Sequence, residues 1–235
     1  MMYEITQIRK LSLWIFFIPF VAINLCLIIS INFSFFENTI LQVDQIGRSG
    51  FTIPYIDGSI SISRASRTFP QFLIFKPAMI ITGILLIFYW RNNNKIMNNF
   101  YNTENVNYKF RIFGILSAIF LIIHSIFLGV KFDIQIYKLM RRVVLLLFII
   151  FEIMAQGILV YNLYKLKKKI SYLFNEKILK LKILLVSILV SVAVFSLPIL
   201  VKSGNVHLKH GLEWNYFVGV ILFYLLTRFF WRRTT

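Results

Sequence analysis

The sequence predicts an all-α, polytopic membrane protein with six transmembrane helices, and three observations lead there. Hydrophobic residues make up 58% of the 235 positions and charged residues only 15%, whereas a soluble domain carries about 25% charge. Six separate runs are predominantly apolar over about 20 residues, the length that crosses the hydrocarbon core. None of the six alternates with the period of a barrel strand. The apolar mass is spread evenly from Leu11 to Trp231, so a single membrane domain over residues 1–235 is expected. Disorder is excluded, because it requires low hydrophobicity.

The predicted spans are Leu11–Ile31, Phe72–Trp90, Ile112–Val130, Val143–Tyr164, Ile183–Val201 and Leu212–Trp231. The first run follows Arg9 and Lys10 as a signal peptide would. It is too long for a signal core and no small-x-small site follows it, so it reads as an uncleaved helix. Lys and Arg total 26 and Asp and Glu total 9, for a net charge of +17. In a soluble protein this balance points to nucleic acid; here the basic residues flank the apolar runs and set orientation. With the amino terminus inside, 16 of the 26 basic residues fall on the inner side. Both termini are therefore expected in the cytoplasm, with one long extracytoplasmic loop between helices one and two. Trp90, Tyr164, Trp214 and Trp231 fall at the predicted interfaces, where an amphipathic ring is favoured. The membrane would be the inner or plasma membrane of a bacterium, or the ER, Golgi or plasma membrane of a eukaryote. The single cysteine, Cys26, lies in an apolar run and reads as a small packing or lipid-facing residue.

The connections differ in character. Residues 92–107 are Asn-rich and read as a solvated turn, and 164–182 as a lysine-rich helical hairpin that anchors the inner side or attracts anionic headgroups. The outer loop from Asn32 to Gln71 is longer than ordinary connections, and such loops tend to be functional. Pro54 and Asp57-Gly58 are turn signals, and the alternation Ser59-Ile60-Ser61-Ile62-Ser63 suggests a short strand. The loop is expected to fold over the outer mouth of the bundle.

Two polar constellations stand out. Glu152 and Gln156 lie four residues apart on one face of the fourth run, and His124 lies inside the third. A carboxylate at mid-membrane faces protein or a water-filled cavity. The preferred reading is a structural Glu152–His124 hydrogen bond between helices three and four; the functional alternative is a proton-linked or headgroup site. His207, His210 and Glu213 share about a third of a helical circumference. They have the donor types of a zinc site or an interfacial acid and base. The simpler and preferred reading is two interfacial histidines and a glutamate that favours the helix dipole. No Gly-x-Ser-x-Gly, His-Glu-x-x-His, P-loop or dinucleotide fingerprint is present, so no catalytic motif and no cofactor is indicated.

The loop and helix ends carry a family pattern. Pro54, Ile56 and Asp57 are followed by Pro70-Gln71 and then by the aromatic-basic positions Phe75-Lys76. Phe113-Gly114 opens the third helix, Asp133 precedes the fourth, and Leu212-Glu213-Trp214 opens the last. In these positions and in its span order the chain resembles the Frag/DRAM/Sfk superfamily of six-span membrane proteins. Within it, the chain is most similar to the post-GPI-attachment lipid-remodelling factors and the amino-terminal half of the Cwh-type proteins. It departs from them at Asp57, where Ser is more usual, at Tyr137, where some relatives have His, and at Ile119-Phe120, which replace a polar pair. The resemblance implies a lipid-handling protein whose outer mouth binds a headgroup. Arg64, Arg67 and Lys76 would pair with phosphate, and Asp57 or Glu213 with sugar or amine groups. Membrane lipids are then the expected partners, and nucleic acid is not. The alternatives are a small proton-linked transporter using His124 and Glu152, and a regulatory membrane scaffold.

Overall fold

A computed structural model describes residues 2–42, 52–100, 107–130, 135–201 and 204–232. Among these the chain is all-helical. It runs α1 (Met2–Ile31), α2 (Pro54–Asp57), α3 (Ile62–Ser66), α4 (Gln71–Asn98), α5 (Lys109–Phe127), α6 (Gln135–Lys165), α7 (Lys167–Ile170), α8 (Glu176–Val201) and α9 (Val206–Phe230). Five segments are long and apolar enough to cross a membrane: Met2–Ile31, Gln71–Asn98, Lys109–Phe127, Leu139–Lys165 and Glu176–Ser196. Their mean hydropathy lies between 2.1 and 2.7. The 25-residue α9 is not among them; Glu213, Asn215 and Arg228 dilute its apolar run.

Helix α1 shows how these elements are specified. Ile8, Ser12, Ile15, Pro19, Ala22 and Cys26 are buried at spacings of three and four. Trp14, Phe17, Val21, Leu25 and Ile28 recur with the same spacing on the exposed side. In water such a stripe would be an aggregation surface; against hydrocarbon it costs nothing. The buried side packs on α4 and α9, and α5 packs on α6 with Phe151 stacked against Phe113 and Phe120.

The two chain ends meet at one end of the bundle. The Arg9 guanidinium donates to the Trp231 carbonyl at 2.8 Å, and Phe174 pairs with Trp231 in an isolated bridge. The segment 52–70 lies at the opposite end.

Three expectations are corrected. No strand forms at 59–63: Ser61 is instead the cap of α3, its hydroxyl accepting from the Arg64 N–H at 3.2 Å. A serine that can satisfy a helix amine overrides weak alternation. Residues 92–98 are not a solvated turn, because α4 continues through them and Asn93 and Asn94 are buried. Trp90, Trp214 and Trp231 do not turn their rings outward but are fully buried in the protein. Trp90 lies flat on Gly114, where an added Cβ would stand 2.3 Å from the indole, which explains the Phe113-Gly114 pair. Tyr164 alone of the four is exposed, as expected.

Candidate functional site

The loop end of the bundle is built by docking the loop onto the first half of α9. Pro54 starts α2, and Gly58 ends it in the left-handed conformation at φ 58°. An added Cβ at Gly58 would lie 1.8 Å from the His207 carbonyl oxygen, so this position requires glycine twice over. The Asp57 carboxylate accepts from the Ile53 N–H at 3.0 Å and the Ser59 N–H at 2.8 Å, wrapping α2 from both ends. Burial works against its charge, but these N–H donors outweigh it and hold the carboxyl below its usual range. Asp57 therefore shapes the loop and has little left for a ligand.

The Leu212-Glu213-Trp214 triplet and its neighbours hold the other side of this joint. Trp214 Nε1 donates to the Ile60 carbonyl at 2.8 Å, and its indole meets the Tyr55 ring edge-on at 4.8 Å. Asn215 Nδ2 donates to the Tyr55 carbonyl at 2.7 Å. Glu213 Oε1 accepts from the Ser63 N–H at 3.4 Å, and His210 Nδ1 lies 3.0 Å from the Gly58 carbonyl oxygen. Burial lowers the His210 pKa. His207 is exposed. His210 and Glu213 thus spend their polar atoms on loop backbone, and no group of His, Cys, Asp or Glu able to hold a metal occurs among the described residues.

Docking sets Arg67 against the end of α5. Gly129, just beyond α5, has φ 82°, and an added Cβ there would stand 2.7 Å from the Arg67 carbonyl oxygen. Arg67 therefore sits on the α5–α6 turn. Burial first, and then the charges of Arg64 and Arg141, hold its guanidinium below the ordinary value. No ion pair joins these three arginines to an acid among the described residues. Pro70 is buried beside them at the start of α4. Gln71, fully buried, shares a hydrogen bond with Thr68. Lys76 lies over the Phe72 ring at 5.4 Å. Asp133 lies outside the described residues.

The mid-bundle polar residues are arranged differently from the expected pair. Glu152 does not meet His124. It accepts from Ser117 on α5 and Gln156 at 3.0 Å on its own helix, and from Tyr224 on α9. Gln156 also reaches the Val220 carbonyl at 3.3 Å. The expected contact came from counting into each apolar run as if both began at one depth. In the structure α6 begins at Gln135, so Glu152 lies 17 residues from the end of α6 nearest the loop, while His124 lies 3 from that end of α5. His124 sits two turns beyond Ser117, about 10 Å along the axis.

A second buried cation escaped sequence reasoning. Lys182, expected to be one of the inner anchors, is fully buried. Its Nζ donates to Thr227 Oγ1 at 2.7 Å and lies 3.8 Å from the Phe223 ring centroid. Thr227 also meets Tyr89 at 3.2 Å, and Tyr89 packs edge-on against Tyr224 at 4.9 Å. The polar residues of α4, α5, α6, α8 and α9 thereby form one knot around the Tyr89–Tyr224 contact. The signal in the sequence was the position of Lys182 at the edge of an apolar run, hidden by the six lysines before it.

No family model, curated protein or solved structure matches this chain, so its residues and their geometry carry the functional reading.

Proposed function

We propose that this is a six-span membrane protein, with both termini cytoplasmic, that holds the phosphate-bearing headgroup of an anionic lipid at its extracytoplasmic mouth. In this reading α9 is the sixth span, tied into the bundle by Tyr224, Thr227 and Trp214 rather than by a uniformly apolar surface. The observation that carries it is the seating of Arg67 against the end of α5, with Arg64 and Arg141 near enough to act on its charge and no ion pair from the three to an acid among the described residues. Like charges repel when brought together, so a folded loop that gathers them is stabilised by an anion. Guanidinium forks match phosphate oxygens in geometry as well as charge. The exposed apolar stripes of the surrounding helices support this reading, since they suit contact with acyl chains. The resemblance to the lipid-remodelling factors, drawn from the very loop and α9 motifs that pack together, agrees with this reading.

Lipid extraction from the purified full-length chain tests it. The wild type retains anionic phospholipid over phosphatidylcholine, and the Arg64→Gln/Arg67→Gln double variant loses that preference. Equal retention by both overturns the proposal.

A further inference from the structure

The turn that joins α6 to α8 lies at the end of the bundle away from the loop, and it is fastened to the carboxy-terminal end of α9. Leu166, Ile170, Leu173 and Phe174 are buried. Phe174 stacks on Phe230 with the ring centroids 4.7 Å apart. The Asn175 N–H donates to the Phe230 carbonyl at 2.8 Å, and the Arg232 N–H donates to the Leu173 carbonyl at 2.9 Å. With its apolar side chains spent inward, the turn leaves its cations outside. Lys165, Lys168, Lys177 and Lys180 are all exposed. The segment 164–182 has a single acid, Glu176, and its carboxylate already pairs with Lys167 Nζ at 2.8 Å.

The four exposed lysines are placed on particular faces. On α8, Lys177 and Lys180 share a face with the exposed Leu181, Leu184 and Ile188. On α6, the exposed Ile150, Met154 and Tyr161 form a stripe that ends in Lys165. The Lys165 ammonium lies over the Tyr161 ring at 4.7 Å, and Lys168 follows three residues on. Helices α6 and α8 pack on one another. Two neighbouring helices therefore each carry an exposed apolar stripe that finishes in a pair of lysines. Orientation in a membrane requires basic residues near the interface but no chosen face. A lysine pair that continues a lipid-facing stripe sits where a headgroup follows its acyl chain, and lysine stems reach along apolar surface to place the charge there.

We propose that this surface binds an anionic lipid that carries two phosphates, one on each lysine pair, with its acyl chains along the apolar stripes of α6 and α8. It is a second lipid surface, separate from the headgroup site proposed at the loop end and independent of it. The pairing of Lys167 with Glu176 spans the turn and holds the two lysine pairs on their helices without using them.

The test uses the full-length Arg64→Gln/Arg67→Gln chain, from which the proposed loop-end site has been removed. The probes are cardiolipin, with two phosphates, phosphatidylglycerol, with one, and phosphatidylcholine, presented in mixed micelles at equal phosphate. Cardiolipin binds most tightly and phosphatidylcholine does not bind. Lys165→Gln/Lys168→Gln and Lys177→Gln/Lys180→Gln each weaken cardiolipin about thirtyfold, the loss of two basic residues at the surface. Arginine at the same four positions preserves binding. Arg91→Gln/Lys109→Gln removes two exposed charges from α4 and α5 at the same end and leaves cardiolipin bound. A cardiolipin with a photoreactive headgroup labels residues 161–184 with all lysines in place, which keeps the proposal testable if a pair variant fails to fold. Labelling elsewhere overturns it. If Arg91→Gln/Lys109→Gln weakens binding as much as either pair variant, the attraction is diffuse and the site is overturned. Equal binding of phosphatidylglycerol and cardiolipin overturns the assignment of two phosphates. Because the loop arginines are absent throughout, none of these failures touches the loop-end reading.

Discussion

The middle of the bundle and its loop end hold comparable numbers of polar groups and treat them in opposite ways. In the middle, Glu152 has three donors from three positions, and Lys182 has a hydroxyl and two aromatic faces. These groups are consumed by the fold, and they join α4, α5, α6, α8 and α9. At the loop end, the docked loop sets Arg67 against the end of α5, and His124 Nδ1 and Arg141 Nε are buried without a hydrogen-bond partner. A polar group inside a membrane protein is expensive in both places. The difference is what repays the cost: internal partners in one region and, on the function proposed, a ligand from outside in the other.

Breaking the middle has the largest effect. Glu152→Ala strands the Tyr224 hydroxyl and leaves Ser117 and Gln156 only the Gly114 and Val220 carbonyls, and at about 1–3 kcal/mol for a buried unsatisfied group, with the cavity left behind, the loss is about 3 kcal/mol. Glu152→Gln keeps acceptor capacity and costs much less. Cys26 is the only cysteine and is buried, so the temperature at which it becomes reactive to a thiol reagent reads both variants directly. A similar loss for the two would show that the carboxylate is not held by these donors.

The loop joint gives intermediate effects. Gly58→Ala forces a Cβ into the His207 carbonyl and strains a left-handed residue by about 1–2 kcal/mol. Hydrogen exchange over residues 52–66 accelerates while α5 and α6 stay protected. Trp214→Phe removes one hydrogen bond to Ile60 and costs about 1 kcal/mol, with the same segment loosening less. Uniform deprotection of the bundle in either variant would mean that the loop is not a separate, docked unit.

The smallest effect is one of pH. The Asp57 carboxyl lies lower in the folded loop than in the unfolded chain. Its contribution is therefore complete above the ordinary carboxylate range and lost as pH falls through the lowered folded value. Exchange at Ile53 and Ser59 quickens in that acidic window in the wild type. Asp57→Asn flattens the response, and an unchanged profile in that variant would remove Asp57 from the loop's support.

Much of the architecture was legible in the residues. Apolar runs of about 20 residues identified all the long helices, and Pro54 and Asp57-Gly58 marked the turns that α2 uses. The failures share a cause. Serine alternation at 59–63 and aromatic positions at run ends are local signals, whereas Ser61 capping and Trp90 burial depend on partners far along the chain. Glu152 and His124 were each recognised as significant, but their depths depend on where α5 and α6 begin, which apolar runs do not reveal. Lys182 and Arg141 were hidden among basic residues read as flanking charges, because a lysine in the sequence looks the same whether it faces water or an aromatic wall.

The account stands most directly on a thermal-shift titration of the wild type, Glu152→Gln and Arg64→Gln/Arg67→Gln with phosphatidylglycerol against phosphatidylcholine. Binding to the folded state alone raises its stability by mass action, about 2.7 kcal/mol at a hundredfold excess over Kd. The account predicts stabilisation by phosphatidylglycerol in the first two proteins and its loss in the third, with phosphatidylcholine inert throughout. Stabilisation that survives removal of both arginines, or that phosphatidylcholine matches, would contradict it.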